Sequence, residues 1–166
     1  MKQHDPRTLR RIVKEIQYEL IKLNELFQEW ERHQQDDWAD TLFRRGKGSL
    51  FHDFYCGVEN IFKRIAPKLN GGVPNDPMWQ TTLLKNMLLE IPDVRPSVVS
   101  AETGKLLQTF LNFRHKFRLI YGFELEIEKM KNLDRLYPEA HRKFVEDINK
   151  FIGFLEGMIA EIEKKN

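Results

Sequence analysis

The sequence predicts an all-α protein, an antiparallel bundle of four or five helices built by a single helical domain over residues 1–166. Apolar residues recur at steps of three and four over long segments, with charged residues between them. No segment shows the strict alternation or the turn pairs of a β-sheet. The chain has 166 residues, of which 41% are hydrophobic and 31% charged, so it is long enough and apolar enough to form one core.

The first predicted helix is long and amphipathic. Asp5 before Pro6 suits a helix start, because the Asp side chain accepts from free amide groups and proline lacks only a donor that the first turn leaves unused. Continuation toward Phe43 is expected, with a stop at Gly46-Lys47-Gly48. The apolar stripe of this helix consists of Leu9, Ile12, Val13, Ile16, Leu20, Leu23, Phe27 and Trp30.

Two shorter helices are predicted in the middle of the chain. The second helix begins after Ser49, which can cap it, and ends near Pro67. Residues 70–77 are too rich in turn formers for regular structure and predict an exposed loop. A third helix is expected from Met78 to Ile91, where the following prolines break the chain. The apolar side of the second helix is formed by Leu50, Phe54, Val58, Ile61, Phe62 and Ile65.

Two helices complete the predicted bundle. The fourth begins at Ser100 or Thr103 and closes or kinks at Tyr121-Gly122-Phe123. The last runs from about Leu133 to Ile162. The fourth helix buries Leu106, Leu107, Phe110, Phe113, Phe117 and Ile120, and the last buries Leu136, Ala140, Phe144, Ile148, Phe151, Ile152, Leu155 and Ile159.

Charge and cysteine content narrow the class of protein. Lys and Arg total 27 against 25 acidic residues, a net charge of +2, so any contact with nucleic acid must come from a local patch. The single Cys56 excludes an internal disulfide, and the first residues lack the apolar stretch of a signal peptide. No run approaches the roughly 18 apolar residues that a membrane-spanning helix needs. We therefore expect a cytoplasmic protein that does not contact a membrane.

Motifs of cofactor and metal chemistry are missing from the sequence. It contains no phosphate-cradling glycine loop, no His-Glu-x-x-His pair and no cysteine cluster of metal-binding spacing. The histidines do not match the inward Glu and His pattern of a carboxylate metal bundle. Cys56 lies beside the apolar face of the second helix, which favours packing over nucleophilic catalysis. We expect neither a cofactor nor a metal site.

Charge and aromatic surface are interleaved in residues 113–121. At about 100° per residue, Arg118 lies about 40° from Arg114, and Tyr121 lies about 20° to the other side of it. These three side chains are therefore predicted to form a ladder along the edge of the apolar stripe. Two guanidiniums and a phenol there could bind a phosphate, since arginine offers a planar fork of donors and keeps its charge. The alternative is that both arginines pair with carboxylates of a neighbouring helix while Tyr121 packs.

The sequence leaves the functions of two residues near this ladder undecided. His115 lies about 100° from Arg114, toward the polar face, where an imidazole could act as an acid or base or could simply be exposed. Leu119 lies about 140° from Arg114 amid polar neighbours, and an apolar side chain there indicates contact with another helix or subunit.

The run Arg114-x-x-x-x-Leu119-x-Tyr121 on the penultimate helix resembles the signature of HEPN proteins. It is most similar to that of the HepT-like ribonuclease toxins, in which arginine, four residues, histidine, one residue and tyrosine follow one another. The run from Asp53 to Ile61 also resembles the second helix of that family. The resemblance covers roughly residues 45 to 160 and includes the all-helical order.

The resemblance implies a bundle that dimerises with its motif helices lining a shared, positively charged cleft, and a metal-independent endoribonuclease. Arg114 would hold the scissile phosphate, and the motif histidine would move the proton of the attacking 2′-hydroxyl or the leaving 5′-oxygen. Here the histidine position is Leu119, which cannot transfer a proton. Either His115 or another group supplies that function, or the chain keeps the fold and has lost cleavage. The separation of positions 115 and 119 along a helix, roughly 6 Å, favours the second.

A modification and a partner are also implied. In HepT-like toxins the motif tyrosine, here Tyr121, can be adenylylated by a small nucleotidyltransferase antitoxin, which blocks the RNA cleft with added phosphate. The chain has no nucleotidyltransferase motif, so that partner would be encoded separately. The alternative is a tyrosine that anchors the end of the fourth helix.

We therefore expect an RNA-cleaving or RNA-binding toxin component that acts as a homodimer. Its predicted catalytic residues are Arg114, His115 and Arg118, and its predicted substrate-binding residues are Arg114, Arg118 and Tyr121. The main rival is a non-catalytic HEPN-like interaction module, and a third class is a plain helical scaffold.

Overall fold

A computed structural model of the chain describes residues 4–166 and contains five α-helices. No β-strand occurs in this range, and the all-α bundle predicted from the sequence is confirmed. None of the helices within it is long and apolar enough to cross a membrane. The elements are α1 (Pro6–Arg32), α2 (Thr41–Leu69), α3 (Trp79–Leu88), α4 (Ala101–Phe117), a 3₁₀ turn (Gly122–Glu124) and α5 (Ile127–Lys165).

The predicted helix starts at Asp5 and Ser100 are present. The Asp5 carboxylate accepts a hydrogen bond from the Arg7 amide at 3.2 Å. Ser100 Oγ accepts from the Thr103 amide, also at 3.2 Å. Each cap satisfies an amide group that the first turn of a helix leaves without a partner. Short-range chemistry therefore fixes where α1 and α4 begin.

The boundary between α1 and α2 differs from the predicted one. α2 begins after Asp40, whose carboxylate caps it, and runs without a break through Gly46-Lys47-Gly48. A glycine inside a helix costs roughly 1 kcal/mol, but Gly48 allows a close helix contact. A Cβ at Gly48 would lie 2.8 Å from the Phe117 ring. Packing therefore carries α2 through these glycines, and the expected cap at Ser49 is wrong.

Three other boundaries are corrected by the structure. α3 ends at Leu88, because Leu89 is extended. α4 ends at Phe117, four residues before the predicted closure at Tyr121. α5 begins at Ile127, six residues before the predicted start at Leu133. The segment between α4 and α5 is therefore a loop, and it contains most of the residues that the motif singles out.

α2 packs against α1, α4 and α5 and supplies the centre of the core. Its buried aromatic rings meet those of α4 and α5 edge to face, with centroids 5.2 to 6.5 Å apart. Such edge-to-face contacts add to the free energy gained by burying the rings. The rings that meet in this way are Phe51, Phe54, Phe62, Phe110, Tyr137 and Phe144.

Candidate functional site

The predicted site residues lie where α2 and α4 pack against each other in antiparallel orientation. Glu59 of α2 contacts Arg114 of α4, whereas His52, two turns earlier in α2, contacts Phe117 at the end of α4. We call this region the α2–α4 edge. It consists of Arg45, His52, Asp53, Cys56, Glu59 and Lys63 on α2, Arg114, Phe117 and Arg118 at the end of α4, and the loop residues 119–124.

Arg114 is held by an ion pair across the edge. Its Nη1 contacts the carboxylate of Glu59, and the two side chains are only 11% and 4% exposed. Lys63 Nζ lies 3.2 Å from the other oxygen of the same carboxylate, Glu59 Oε1. One carboxylate is thus shared by two cations, which leaves an excess of positive charge. For Arg114, the predicted alternative of a carboxylate partner on a neighbouring helix is therefore what the structure shows.

Arg118 differs from Arg114 in both position and surroundings. It caps α4 rather than belonging to it, and its side chain is exposed. Within residues 4–166, no carboxylate lies within ion-pair distance of it. Arg118 keeps a helical backbone conformation one turn after Arg114, whereas Tyr121 is extended, so the predicted helical ladder does not continue to Tyr121.

The loop after α4 presents three large apolar side chains to solvent. Leu119, Tyr121 and Phe123 are 85%, 69% and 61% exposed. The Tyr121 and Phe123 rings stack in parallel, with centroids 5.3 Å apart and an interplanar angle of 6°. Gly122 between them lies under the Arg45 side chain, which a Cβ at this position would displace. Exposed apolar groups gathered in this way mark an interaction surface.

The two histidines nearest the motif have different environments. His115 is partly exposed, and its side chain makes no hydrogen bond or ion pair with any residue of the range 4–166. His52 lies at the edge itself, with its ring 5.5 Å from that of Phe117. His52 Nδ1 is 3.6 Å from Asp53 Oδ1 and 3.7 Å from Cys56 Sγ. The imidazole nearest the centre of the edge is therefore that of His52.

The sequence reasoning missed His52, Glu59 and Lys63. A signal for them was present, because His52, Cys56, Glu59 and Lys63 recur at steps of three and four and so share one face of α2. The sequence predicts only that Cys56 lies beside the apolar stripe of this helix, and it assigns the other residues of this face no role. Only the packing of α2 against α4 shows that this face of α2 contacts the helix that contains Arg114.

Cys56 is half-buried beside these charges. Burial raises the pKa of its thiol, Arg114 and Arg118 oppose this rise, and Asp53 and Glu59 add to it. Both guanidiniums thus act on one sulfur atom, which places them in the same neighbourhood. The thiol stays protonated at neutral pH, as expected for a packing cysteine. No group of three or more side chains able to hold a metal ion occurs in the described part of the chain.

A second buried ion pair lies where α1, α2 and α5 meet. Lys47 Nζ is 2.9 Å from Asp134 Oδ1, and the two side chains are 4% and 21% exposed. Trp30 Nε1 donates to the same oxygen at 2.8 Å. The Lys47 ammonium also lies 5.5 to 5.8 Å from the ring centroids of Trp30, Trp38 and Phe43. We call these residues the Lys47 cluster.

The fold and the α2–α4 edge together define a helical domain of the HEPN type. A family model described as HepT-like protein matches residues 47–155, which is well over half of the chain. The chain therefore belongs to the HepT-like family, and the resemblance seen in its sequence is confirmed. The matched range includes Glu59, Arg114 and Tyr121 and leaves α1 outside it. Neither a curated protein nor a solved structure matches the chain.

Proposed function

We propose that this protein is the RNA-directed toxin component of a toxin–antitoxin pair, which acts in the cytoplasm as a homodimer and contacts RNA at the α2–α4 edge. The observation that carries the proposal is the arrangement around the motif. Arg114 lies at the position of the family's motif arginine, and beside it Arg118 and Tyr121 are exposed on an open surface. Guanidiniums bind phosphates, and exposed aromatic rings stack on unpaired bases.

Each side chain of the edge has a distinct role in this proposal. Arg118 contacts a phosphate directly, because its charge is exposed and no carboxylate of the described chain compensates it. Arg114, which is buried, and Lys63, which is 41% exposed, share one carboxylate, Glu59, so they contribute residual positive charge to the edge. Tyr121 and Phe123 offer a flat stacked pair beside these charges. Positive charge with stacking surface is the combination that single-stranded nucleic acid requires.

The homodimer rests on the exposed side of the loop. Leu119 is 85% exposed, and the cost of keeping an isobutyl group in water is removed when a second copy covers it. A dimer that brings two such edges together doubles the positive charge along one cleft. Sedimentation equilibrium should therefore show a dimer, and Leu119→Lys should weaken it.

Cleavage is tested with purified protein and single-stranded RNA in EDTA. We expect cleavage, with a loss of at least tenfold in Arg118→Ala. Arg142→Ala is the matched control, because Arg142 is a 58% exposed arginine on α5 that pairs with Glu146. Arg114→Ala should abolish cleavage, and its melting temperature must be measured because it leaves the Glu59 carboxylate with one cation fewer. RNA that is neither bound nor cut by the parent protein contradicts the proposal.

A non-catalytic interaction module is the second candidate, and one observation favours it. The position of the motif histidine holds Leu119, which points into solvent and has no proton to transfer. The test is Leu119→His. A gain of RNA cleavage or cellular toxicity by Leu119→His, where the parent has neither, identifies the parent as a domain that has lost its enzymatic activity.

Tyr121 is proposed as the site at which a separate nucleotidyltransferase antitoxin silences the protein. Its ring is 69% exposed, so an enzyme can reach it. In the reaction, the Tyr121 oxygen forms a bond to the α-phosphorus of ATP, pyrophosphate leaves and the phenolic proton passes to solvent. Coexpression with the nucleotidyltransferase should add one AMP to Tyr121 by mass spectrometry. Tyr18, 60% exposed on α1, should stay unmodified.

A further inference from the structure

His52 lies at the α2–α4 edge, beside the end of α4. The half-buried ring packs on Phe117, with centroids 5.5 Å apart and an interplanar angle of 42°. Phe117 is followed directly by Arg118, the exposed guanidinium that is the proposed phosphate contact. The contact between α2 and α4 therefore brings the imidazole to the end of α4 at which phosphate would bind.

The hydrogen-bonding capacity of His52 is largely unused. Its nearest polar neighbours in the described chain are Asp53 Oδ1, at 3.6 Å from Nδ1, and Cys56 Sγ, at 3.7 and 3.9 Å from the two ring nitrogens. The contact with Asp53 is longer than an ordinary nitrogen-to-oxygen hydrogen bond, and the contacts with the Cys56 sulfur are weak hydrogen bonds, so a substrate hydroxyl can displace them and give its proton to a ring nitrogen. The Asp53 carboxylate can then stabilise the imidazolium that forms, as a carboxylate does in a catalytic triad.

The charges near His52 come from both helices of the edge. On α2 they are Asp53 and the titratable thiol of Cys56. At the end of α4 they are Arg114 and Arg118, which lower the pKa of the same thiol. His52 thus contacts the thiol on which both guanidiniums act.

We propose that His52, supplied by α2, is the proton-transfer residue of this protein and replaces the motif histidine that is lost at Leu119. The inference rests on the proposed function in RNA cleavage. His52 takes the proton of a 2′-hydroxyl while the 2′-oxygen forms a bond to the adjacent phosphorus. The bond from phosphorus to the 5′-oxygen breaks, and the leaving oxygen takes a proton from water. The products are a 2′,3′-cyclic phosphate and a 5′-hydroxyl, and His52 returns its proton to solvent.

The test compares His52→Gln with His115→Gln, each measured for RNA binding and for cleavage in EDTA. Removal of a general base typically slows a reaction by about 10²- to 10⁴-fold. We expect such a loss of cleavage in His52→Gln. Its RNA affinity should stay within about twofold of that of the parent, because a group that acts only in the chemical step does not contribute to binding. His115 is the rival candidate for this role, and cleavage by His115→Gln should fall less than cleavage by His52→Gln.

A structural role for His52 is separated from a chemical role by two further readouts. Added imidazole should restore part of the cleavage by His52→Ala, and it should not help Arg118→Ala. The pH dependence of cleavage should also differ between the parent and His52→Gln, because the variant has lost the base that takes the proton.

Each result decides between the two proposals. Wild-type cleavage by His52→Gln, or loss of cleavage in His115→Gln alone, overturns the role of His52 and leaves the RNA function standing. A parent that binds RNA through Arg118 but does not cut it also overturns the role of His52. A parent that neither binds nor cuts RNA overturns the proposed function, and the role of His52 falls with it. If His52→Gln does not fold, imidazole rescue of a folded His52→Ala decides instead.

Discussion

The Lys47 cluster and the α2–α4 edge each bury an ion pair, and their surroundings are opposite. Lys47 and Asp134 are enclosed by three aromatic rings and the Trp30 N–H. Glu59 and Arg114 are buried equally well, but their edge continues into the exposed Arg118 and the stacked rings of the loop. A buried ion pair alone therefore does not identify a functional site in this protein.

The energetics of buried charge explain why the two regions should respond differently to substitution. Removing charges from water is costly, and a buried pair compensates this cost only when its geometry and hydrogen bonds are good. In the Lys47 cluster every contact is internal, so its loss should change stability alone. At the α2–α4 edge, the same kind of change should also alter RNA binding.

Asp134→Ala should have the largest effect on stability. It leaves the Lys47 ammonium buried without a carboxylate, which lowers the free energy of unfolding by about 3–5 kcal/mol. Urea denaturation measures this difference. Glu146→Ala removes one partner of the exposed Arg142–Glu146 pair and should cost only about 0–0.5 kcal/mol. Equal losses in the two variants contradict a structural role for the Lys47 cluster.

His141 should make stability depend on pH, because its ring lies between α1 and α5, stacked on Phe27 at 4.5 Å. Burial lowers the pKa of His141 to about 4. An unfolded histidine binds its proton near pH 6.5, so between these values the unfolded state holds more protons than the folded state. Stability is therefore greatest above about pH 6.5 and falls as the pH drops toward 4, by about 3 kcal/mol.

The measurement for His141 is urea denaturation of the parent and of His141→Phe at pH 7 and pH 4.5. Phenylalanine keeps a ring against Phe27 but binds no proton. The variant should therefore lose less stability than the parent over this interval. An identical pH dependence in the two proteins shows that another group causes it.

Gly48→Ala and Gly46→Ala should have opposite effects, although both lie in the same turn of α2. A Cβ at Gly48 meets the Phe117 ring at 2.8 Å, whereas nothing lies within 4 Å of one at Gly46. Gly46→Ala should raise the free energy of unfolding by about 0.5–1 kcal/mol through helix propensity alone. Gly48→Ala should lower it by about 1 kcal/mol, because overpacking outweighs that gain. Stabilisation by both alanines would exclude the close contact of α2 with α4.

The smallest predicted effect is a change of RNA affinity in Glu59→Gln, which should separate the two regions. This variant should also lower stability, because the buried Arg114 loses its carboxylate. It removes the negative charge shared by Arg114 and Lys63 but keeps a hydrogen-bond acceptor. RNA affinity should therefore rise by about threefold at low salt, because the edge becomes more positive. Asp134→Asn removes a negative charge from the Lys47 cluster, and RNA affinity should stay unchanged. Fluorescence anisotropy with a labelled oligonucleotide measures both affinities. An equal rise in RNA affinity in both variants contradicts the distinction between the α2–α4 edge and the Lys47 cluster.

The fold was predictable wherever a short-range signal decides the structure. Asp5 and Ser100 form caps within three residues of their own position, and the apolar stripes have the period of a helix. The predicted helix stop at Gly46-Lys47-Gly48 is wrong for a different reason. In this turn Gly48 packs on Phe117, about 70 residues later, and Lys47 pairs with Asp134, and no local pattern predicts such contacts.

The candidate site was predictable only in part for the same reason. The motif located Arg114 and Tyr121, but the assumption of a continuous helix misplaced Tyr121 relative to Arg114. Glu59 and His52 come from another helix, so their approach to the motif follows from tertiary packing. A family signature names residues along one segment and does not include the partners that a second segment supplies.

Ultraviolet crosslinking of single-stranded RNA to the protein, followed by mass spectrometry, tests the central claim most directly, because exposed aromatic rings crosslink to bases stacked on them. The claim predicts nucleotide adducts at Tyr121 or Phe123, and their loss in Arg118→Ala. Tyr18 on α1 is similarly exposed, at 60%, but lies outside the α2–α4 edge, so it should carry no nucleotide adduct. Adducts at Tyr18, with Tyr121 and Phe123 unmodified under conditions in which RNA is bound, would contradict the account.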